Sequence, residues 1–324
     1  MNVNTDQQEK FKFRHLPKLL KDTAILWNQD NPWRLSAVVA YYAVLSLPGL
    51  LVVIINVVGY FWGAAVAEGE VYSEIRNIMG ASAADSMRAI FDNARGGESS
   101  LIATIVGIGA LIFGATGVFY HLQISINEVW EITSVPKQEF LRYLIDRARG
   151  FGFVLVIGFL LLISFVISAV LSALQGYIEE FLPQISFILL QIGDIIISLG
   201  VVTLLFALIY KYLPDVSIGW RSVWVGALIT SVLFALGKEI LSYYFSEASP
   251  GSTYGAAGSI IIILLWVSYS CLILFFGAEF TWVYARRYGH KIQPKSHARY
   301  LKKGESNVAP GKGEKEKEKE KQKG

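Results

Sequence analysis

Long apolar runs alternate with short polar connections along this chain, and six of the runs are long enough to cross a bilayer as helices. A helix needs about 20 mainly apolar residues to span the hydrocarbon core. The runs are Leu35–Phe61, Leu101–His121, Phe151–Leu174, Ile185–Tyr210, Trp220–Tyr243 and Ala256–Tyr284. The fifth is the least apolar because it carries Lys238 and Glu239. The pattern predicts an all-α, polytopic membrane protein built as a bundle of six transmembrane helices. One long connection, between the first and second runs, has its own periodicity. Val71, Ile75, Ile78 and Met79, then Met87, Ile90 and Phe91, recur at helical spacing among Glu70, Glu74, Arg76, Asp85 and Arg88. One or two external amphipathic helices follow from that spacing, either capping the bundle's outer mouth or resting in the outer headgroups. Ahead of the first run, Leu16, Leu20, Ala24 and Trp27, with Lys18 and Lys21, form a shorter amphipathic stretch. It suits the anionic membrane face or a site packed on the bundle.

Composition and charge turn this pattern into an oriented arrangement. Of the 324 residues 53% are hydrophobic and 17% charged, a balance too apolar for a soluble domain of this length. Six Lys and Arg residues precede the first run; successive connections hold three, four, none, two and none, counting Arg221 at the start of the fifth run with its connection; thirteen lie from Arg286 to the end, and Lys238 is the remaining one. With the amino terminus inside, 25 of the 29 basic residues fall on the cytoplasmic side and three outside, as the positive-inside rule requires. Both termini are therefore expected in the cytoplasm and the chain in the plasma membrane. Trp33 and Trp62 bracket the first run, and Trp220 and Trp282 mark expected inner ends, where interfacial aromatics gather. Met1–Lys10 is polar and leads into Phe11, Lys12, Phe13 and Arg14, which is not a cleavable leader, so the first run serves as the targeting signal. The expected organisation is a cytoplasmic segment with an amphipathic helix over 1–34, a membrane domain over 35–288 and a disordered charged cytoplasmic tail over 289–324. The tail ends in the repeat Glu314-Lys315-Glu316-Lys317-Glu318-Lys319-Glu320-Lys321, which contains nothing to build a core.

Candidate chemistry is sparse. Cys271 is the single cysteine, so neither an intrachain disulfide nor a thiolate cluster can form. His15, His121, His290 and His297 show no metal-ligand spacing, and no phosphate-binding loop is present. No catalytic, cofactor or metal site is expected, and the chain reads as a non-enzyme. What remains is a set of polar residues inside apolar runs, each costly there unless it faces a cavity or a partner. These are Asn56, Asp194, Lys238, Glu239 and Glu279. Asp194 and Lys238 fall at similar depth on antiparallel runs, which suggests an interhelical pair. Pro48 removes a backbone hydrogen bond in the first run and is expected to kink it, either lining a cavity or fitting the helix around its neighbours. Ala103, Gly107, Ala110, Gly114 and Gly117 place small residues at three- and four-residue spacing in the second, which allows close backbone packing. Pro250 to Gly258 is uncharged and suits a re-entrant gate as well as a plain loop.

Several short motifs occur together and in order: Ala40-Tyr41-Tyr42-Ala43 leading to Ser46 and Pro48; Asn127-Glu128-Val129-Trp130; Tyr210-Lys211-Tyr212-Leu213-Pro214 ahead of Trp220-Arg221; Gly226-Ala227; Tyr254-Gly255; and Gly277-Ala278-Glu279. Over residues 35 to 288 the chain resembles the YihY/BrkB family of bacterial inner-membrane proteins, once labelled ribonuclease BN. The resemblance implies a six-helix membrane fold and brings no settled molecular activity. Three functional readings follow. One is a transporter of a small solute, ion or lipid, with Asn56, Asp194, Lys238 and Glu279 along its path; another is a non-transporting scaffold in envelope organisation. The third, ribonuclease activity, is disfavoured, because a metal-dependent nuclease needs clustered His and Asp ligands that the expected cytoplasmic segments lack. Membrane lipids and a small solute or ion are the expected partners, and nucleic acid is not.

Overall fold

Each apolar run is helical wherever the computed structural model describes it. The described residues are 12–63, 68–69, 71–73, 75–76, 81–95, 114, 117–134, 152, 186–248, 257–288, 292–295 and 297–301; side chains are included for most of them, but not for 47–59 or for most of 186–195. Helix α1 spans Leu16–Gln29 with Pro17 in its first turn, a position where the missing N–H costs nothing. The Asp30 N–H closes it on the Leu26 carbonyl, and Asn31, at φ 50°, turns the chain. Asn tolerates that left-handed conformation better than most residues. Pro32 then opens α2, Pro32–Trp62. Helix α3 is Ala81–Arg95, α4 covers 117–129, α5 is Ser186–Tyr212, α6 Trp220–Ala248 and α7 Gly258–Tyr288. Helices α6 and α7, of 29 and 31 residues, are each long and apolar enough to cross a membrane. The second and third expected spans fall almost entirely outside the described residues, so the bundle of six is not complete here. Pro48 sits within α2, which continues as helix on both sides of it.

Helix α7 is the hub of the described structure, packing against α1, α2, α3 and α6, while α5 packs on α6. Its crossing with α6 is built by two glycines and two threonines. A Cβ on Gly226 would overlap the Thr281 hydroxyl, and one on Gly277 would overlap the Thr230 hydroxyl. Each threonine donates to the carbonyl four residues earlier in its own helix, Thr230 to Gly226 and Thr281 to Gly277, both at 2.7 Å. The helices thus approach closely with no hydroxyl left unsatisfied. Tyr210 of α5 reaches the same crossing, donating to the Leu274 carbonyl at 2.8 Å. Farther along, Thr203 of α5 meets Ser231 of α6 at 2.7 Å. On the other side, Gly114 lies against the Ser46 backbone and Gly117 against Tyr42 of α2, the close packing expected of the small residues in the second run. Helix α3 buries Ala83, Ala84 and Met87 and packs on α7, so the amphipathic helix expected in the long connection rests on the bundle.

Four short strands tie the connections together beyond the carboxyl end of α7. Strand β1 (Ile132–Ser134) pairs antiparallel with β4 (Ala298–Tyr300), and β2 (Val216–Ser217) with β3 (Gln293–Pro294). Residues 292–295 and 297–301 lie within the stretch expected as a disordered tail from residue 289, and these described residues carry β3 and β4. Ile292 is buried in the main core, Lys295 N–H donates to the Asp215 carbonyl at 2.9 Å, and Leu301 N–H donates to the Glu131 carbonyl at 2.8 Å. Backbone pairing and one apolar anchor hold the segment in place, ahead of the charge repeat that dominates the tail's composition.

The crossing predicts an asymmetry among glycines. Gly226→Val and Gly277→Val must push α6 and α7 apart, at a cost of about 1–3 kcal/mol each. Thermal unfolding of the detergent-purified protein should show a lowered midpoint for both. Gly200→Ala, at a position with nothing near its added Cβ, should leave the midpoint unchanged or raise it.

Candidate functional site

Among the described helices, the carboxyl that the fold buries most deeply is that of Glu279, 1% exposed in α7. The crossing explains its position. Gly277 and Thr281 carry the close contact with α6, and Glu279 lies between them in sequence on the same helix. Its electrostatic neighbour is Asp30 at the α1–α2 corner, and the two carboxyls influence one another. One Glu279 oxygen, Oε2, has no hydrogen-bond partner, and neither has the buried Nε1 of Trp27, whose ring packs edge-on against Phe276 one turn away. Two neighbouring carboxyls, one buried and one half-buried, resist being ionised together. Burial pushes the Asp30 carboxyl up to about 6 from its ordinary 3.8; the interaction with the Glu279 carboxyl offsets part of this, and the negative charges of Glu128 and Glu131 add to it.

The surroundings fix this pair rather than neutralise it. Trp130, fully buried, donates its indole N–H to the Ala278 carbonyl at 2.9 Å and stacks on Trp282, so α4 and α7 are locked one residue away from Glu279. Arg34 is committed to Glu128 at 2.5 Å, and Arg286 lies 3.7 Å from Glu131. The two arginines therefore balance the outer carboxylates. Among the described residues no three His, Cys, Asp or Glu side chains converge as metal ligands would.

A second polar cluster organises the strand end. Asp215, 0% exposed, accepts from Gln123 Nε2 at 3.2 Å and from Asn127 Nδ2 at 3.0 Å, while its own N–H donates to Asn127 Oδ1 at 2.9 Å. His297 Nε2 lies 2.9 Å from Oδ1, the oxygen that Gln123 also reaches, and Lys295 Nζ donates to the Pro214 carbonyl at 2.7 Å. One carboxylate thereby joins α4, the turn after α5 and the returning carboxyl-terminal segment. Its groups are mutually satisfied, which marks a structural clamp.

Of the residues singled out by sequence, only Glu279 enters these sites. The backbones of Asn56 and Asp194 lie in α2 and α5, but their side chains fall outside the described residues, and so does the test of an Asp194–Lys238 pair. Lys238 Nζ lies 3.4 Å from Glu239 Oε1, with Glu239 largely exposed. Because Thr230 meets Gly277 and Gly226 meets Thr281, Glu279 stands level with residue 228 of α6. Lys238 is about 15 Å farther along the axis, so the structure does not bring it to Glu279. Asp30, Asp215, Gln123 and His297 were not anticipated as members of a common site. Asn127 and Glu128 had appeared only within a recurring motif.

Two of these packed helices, α6 and α7, are long and apolar enough to cross a membrane. The model of the family described as Virulence factor BrkB matches residues 26–301, and the chain belongs to that family. The match takes in Asp30 at one end and His297 at the other, beyond the 35–288 domain expected. A UPF0761 membrane protein of Alteromonas mediterranea is 26% identical over 255 residues, covering 78% of this chain and 83% of that protein. One from Mannheimia succiniciproducens is 26% identical over 260 residues, 79% and 85% of the two chains. With a relative from Delftia acidovorans the match is 26% over 180 residues, 55% of this chain and 40% of the relative. No solved structure matches the chain.

Two outcomes follow. Because the folded state raises the Asp30 pKa, it binds more protons than the unfolded chain between about 3.8 and about 6, and stability falls as pH rises through that window. In thermal unfolding across it, Asp30→Asn should gain on the wild type as pH increases; parallel curves would show that Asp30 carries no such linkage. Asp215→Ala leaves Gln123, Asn127 and His297 without their shared acceptor, a loss of about 1–3 kcal/mol. Tryptic cleavage at Lys295 or Arg299 should accelerate several-fold, and an unchanged rate would remove the clamp.

Proposed function

We propose that this protein is a transporter of a small solute or ion, with protonation of the Asp30–Glu279 pair as a step of its cycle. The observation that carries the reading is the Glu279 carboxyl, 1% exposed within a helix long and apolar enough to cross a membrane and holding an oxygen with no hydrogen-bond partner. An ionisable group at such a depth is costly, and in membrane proteins such groups mark ion and proton paths. A merely structural carboxyl would be expected to resemble Asp215, satisfied on every side. The second carboxyl supplies what a coupling site needs: two acids whose charges exclude one another, so that one proton, or a cation replacing it, is held between them.

In this reading the chain is a multi-pass protein of the bacterial plasma membrane with six spans. Its strand end and both termini face the cytoplasm, as the distribution of Lys and Arg favours. The Asp30–Glu279 pair then stands near the inner end of the bundle. No catalytic role is assigned.

Proton flux into vesicles tests this. With purified full-length protein, an imposed membrane potential and an internal pH dye, wild-type vesicles should acidify faster than protein-free ones. Glu279→Gln should fall to the protein-free rate, and Asp30→Asn should slow at least several-fold. Wild-type flux at the protein-free rate would return the protein to the scaffold reading, and full flux in Glu279→Gln would dissociate transport from this site.

A further inference from the structure

Helix α1 and the last turns of α7 enclose an open cleft of about 450 Å³. From α1 it is lined by Asp22, Ile25 and Leu26, and from α7 by Trp282, Val283, Arg286 and Arg287. The cleft is framed by good packing rather than left by poor packing. His15 stacks on Tyr288 and shares a 2.6 Å hydrogen bond with its hydroxyl, and buried Leu19 packs with Phe280 and Tyr284. Beyond Leu26, Asp30 and Glu279 close the helix pair one turn farther on.

The lining is divided by chemistry. Ile25 and Leu26 remain 49% and 36% exposed, an apolar surface that water wets at a cost. At the other end, the Arg286 guanidinium lies over the Trp282 ring at 5.4 Å and that of Arg287 over Tyr288 at 5.6 Å. Aromatic faces hold the guanidinium planes so that their N–H edges can meet an anion. Arg286 also touches Glu131, but at 3.7 Å and with both side chains more than half exposed, a contact that a phosphate can replace. Among the lining residues two arginines face the single anion Asp22, with Glu131 beside Arg286 outside the lining. The cleft lies at the last turn of an apolar helix long enough to span a bilayer, the depth at which headgroup phosphates sit. A soluble anion would leave Ile25 and Leu26 wet, whereas an apolar ligand would not engage the arginines. An amphiphile with an anionic head satisfies both.

We infer that this cleft binds one anionic phospholipid of the adjoining leaflet, its phosphate on Arg286 and Arg287 and an acyl chain along Ile25, Leu26 and Val283. The site is separate from the Asp30–Glu279 pair, and the inference does not rest on the transport reading.

Native mass spectrometry of the full-length protein in neutral detergent, titrated with phosphatidylglycerol or with phosphatidylcholine of the same chains, tests it. One phosphatidylglycerol should bind about tenfold more tightly than phosphatidylcholine. Arg286→Gln with Arg287→Gln should erase that preference. Lys18→Gln with Lys21→Gln, which removes the same charge from α1 outside the cleft, should retain it. Should the arginine variant fail to fold, Ile25→Gln with Leu26→Gln, at exposed positions, should still lower phosphatidylglycerol affinity several-fold, and Glu279→Gln should bind as the wild type does. Equal binding of the two lipids, equal losses in the lysine and arginine variants, or displacement by millimolar inorganic phosphate would overturn the site. The last result would identify a simple anion site.

Discussion

The close crossing of α6 and α7 is the constraint from which the rest of the described structure follows. Two helices come this near only where each presents a glycine to the other's threonine, and the pairs Gly226–Thr281 and Gly277–Thr230 meet that condition reciprocally. The threonine hydroxyls spend their protons on their own helices, so the contact introduces no unsatisfied donor into an apolar interior. Other elements then assemble around the crossing. Tyr210 bonds to the Leu274 carbonyl and Trp130 to the Ala278 carbonyl, which brings α5 and α4 onto the same stretch of α7. Glu279 lies within that stretch, and its burial is a consequence of the packing.

The two polar clusters share a chemical type and differ in how it is satisfied. The Asp215 carboxylate is held by Gln123 and Asn127 of α4 and by His297 of the carboxyl-terminal segment, which makes it a fastening point. Glu279 faces a second acid and keeps an oxygen unpartnered, the feature on which the proposed proton or cation step rests. The strands formed by the carboxyl-terminal segment keep the fastening point closed, and the α1–α2 corner delivers Asp30 to the other. Membership in the BrkB family, whose matched region reaches from residue 26 to residue 301, covers both clusters.

Much of this was legible in the sequence, and the reasons for the rest are physical. Apolar runs of spanning length announced α2, α5, α6 and α7, and Met87 with its neighbours announced α3, because a helix's burial pattern is periodic and local. Glu279 stood out as a charge within an apolar run. Asp30 and Asp215 did not, since both sit close to prolines at helix ends, where Asp is an ordinary turn residue. Their burial comes from partners far away in sequence, Glu279 for one and Asn127 and His297 for the other. Strands of two or three residues are too short to show an alternating pattern, and the charge repeat beyond Gly313 masked β3 and β4 ahead of it. Gly226 and Gly277 were visible only as parts of recurring motifs; their significance appears once the opposing threonines are in place.

Infrared titration of the carboxyl groups addresses the central claim, that Asp30 and Glu279 hold one proton between them. The wild-type protein should show a protonated-carboxyl band with a step at about pH 6, lost in Asp30→Asn and displaced in Glu279→Gln. A spectrum without that step, or the same step in all three proteins, would contradict the account.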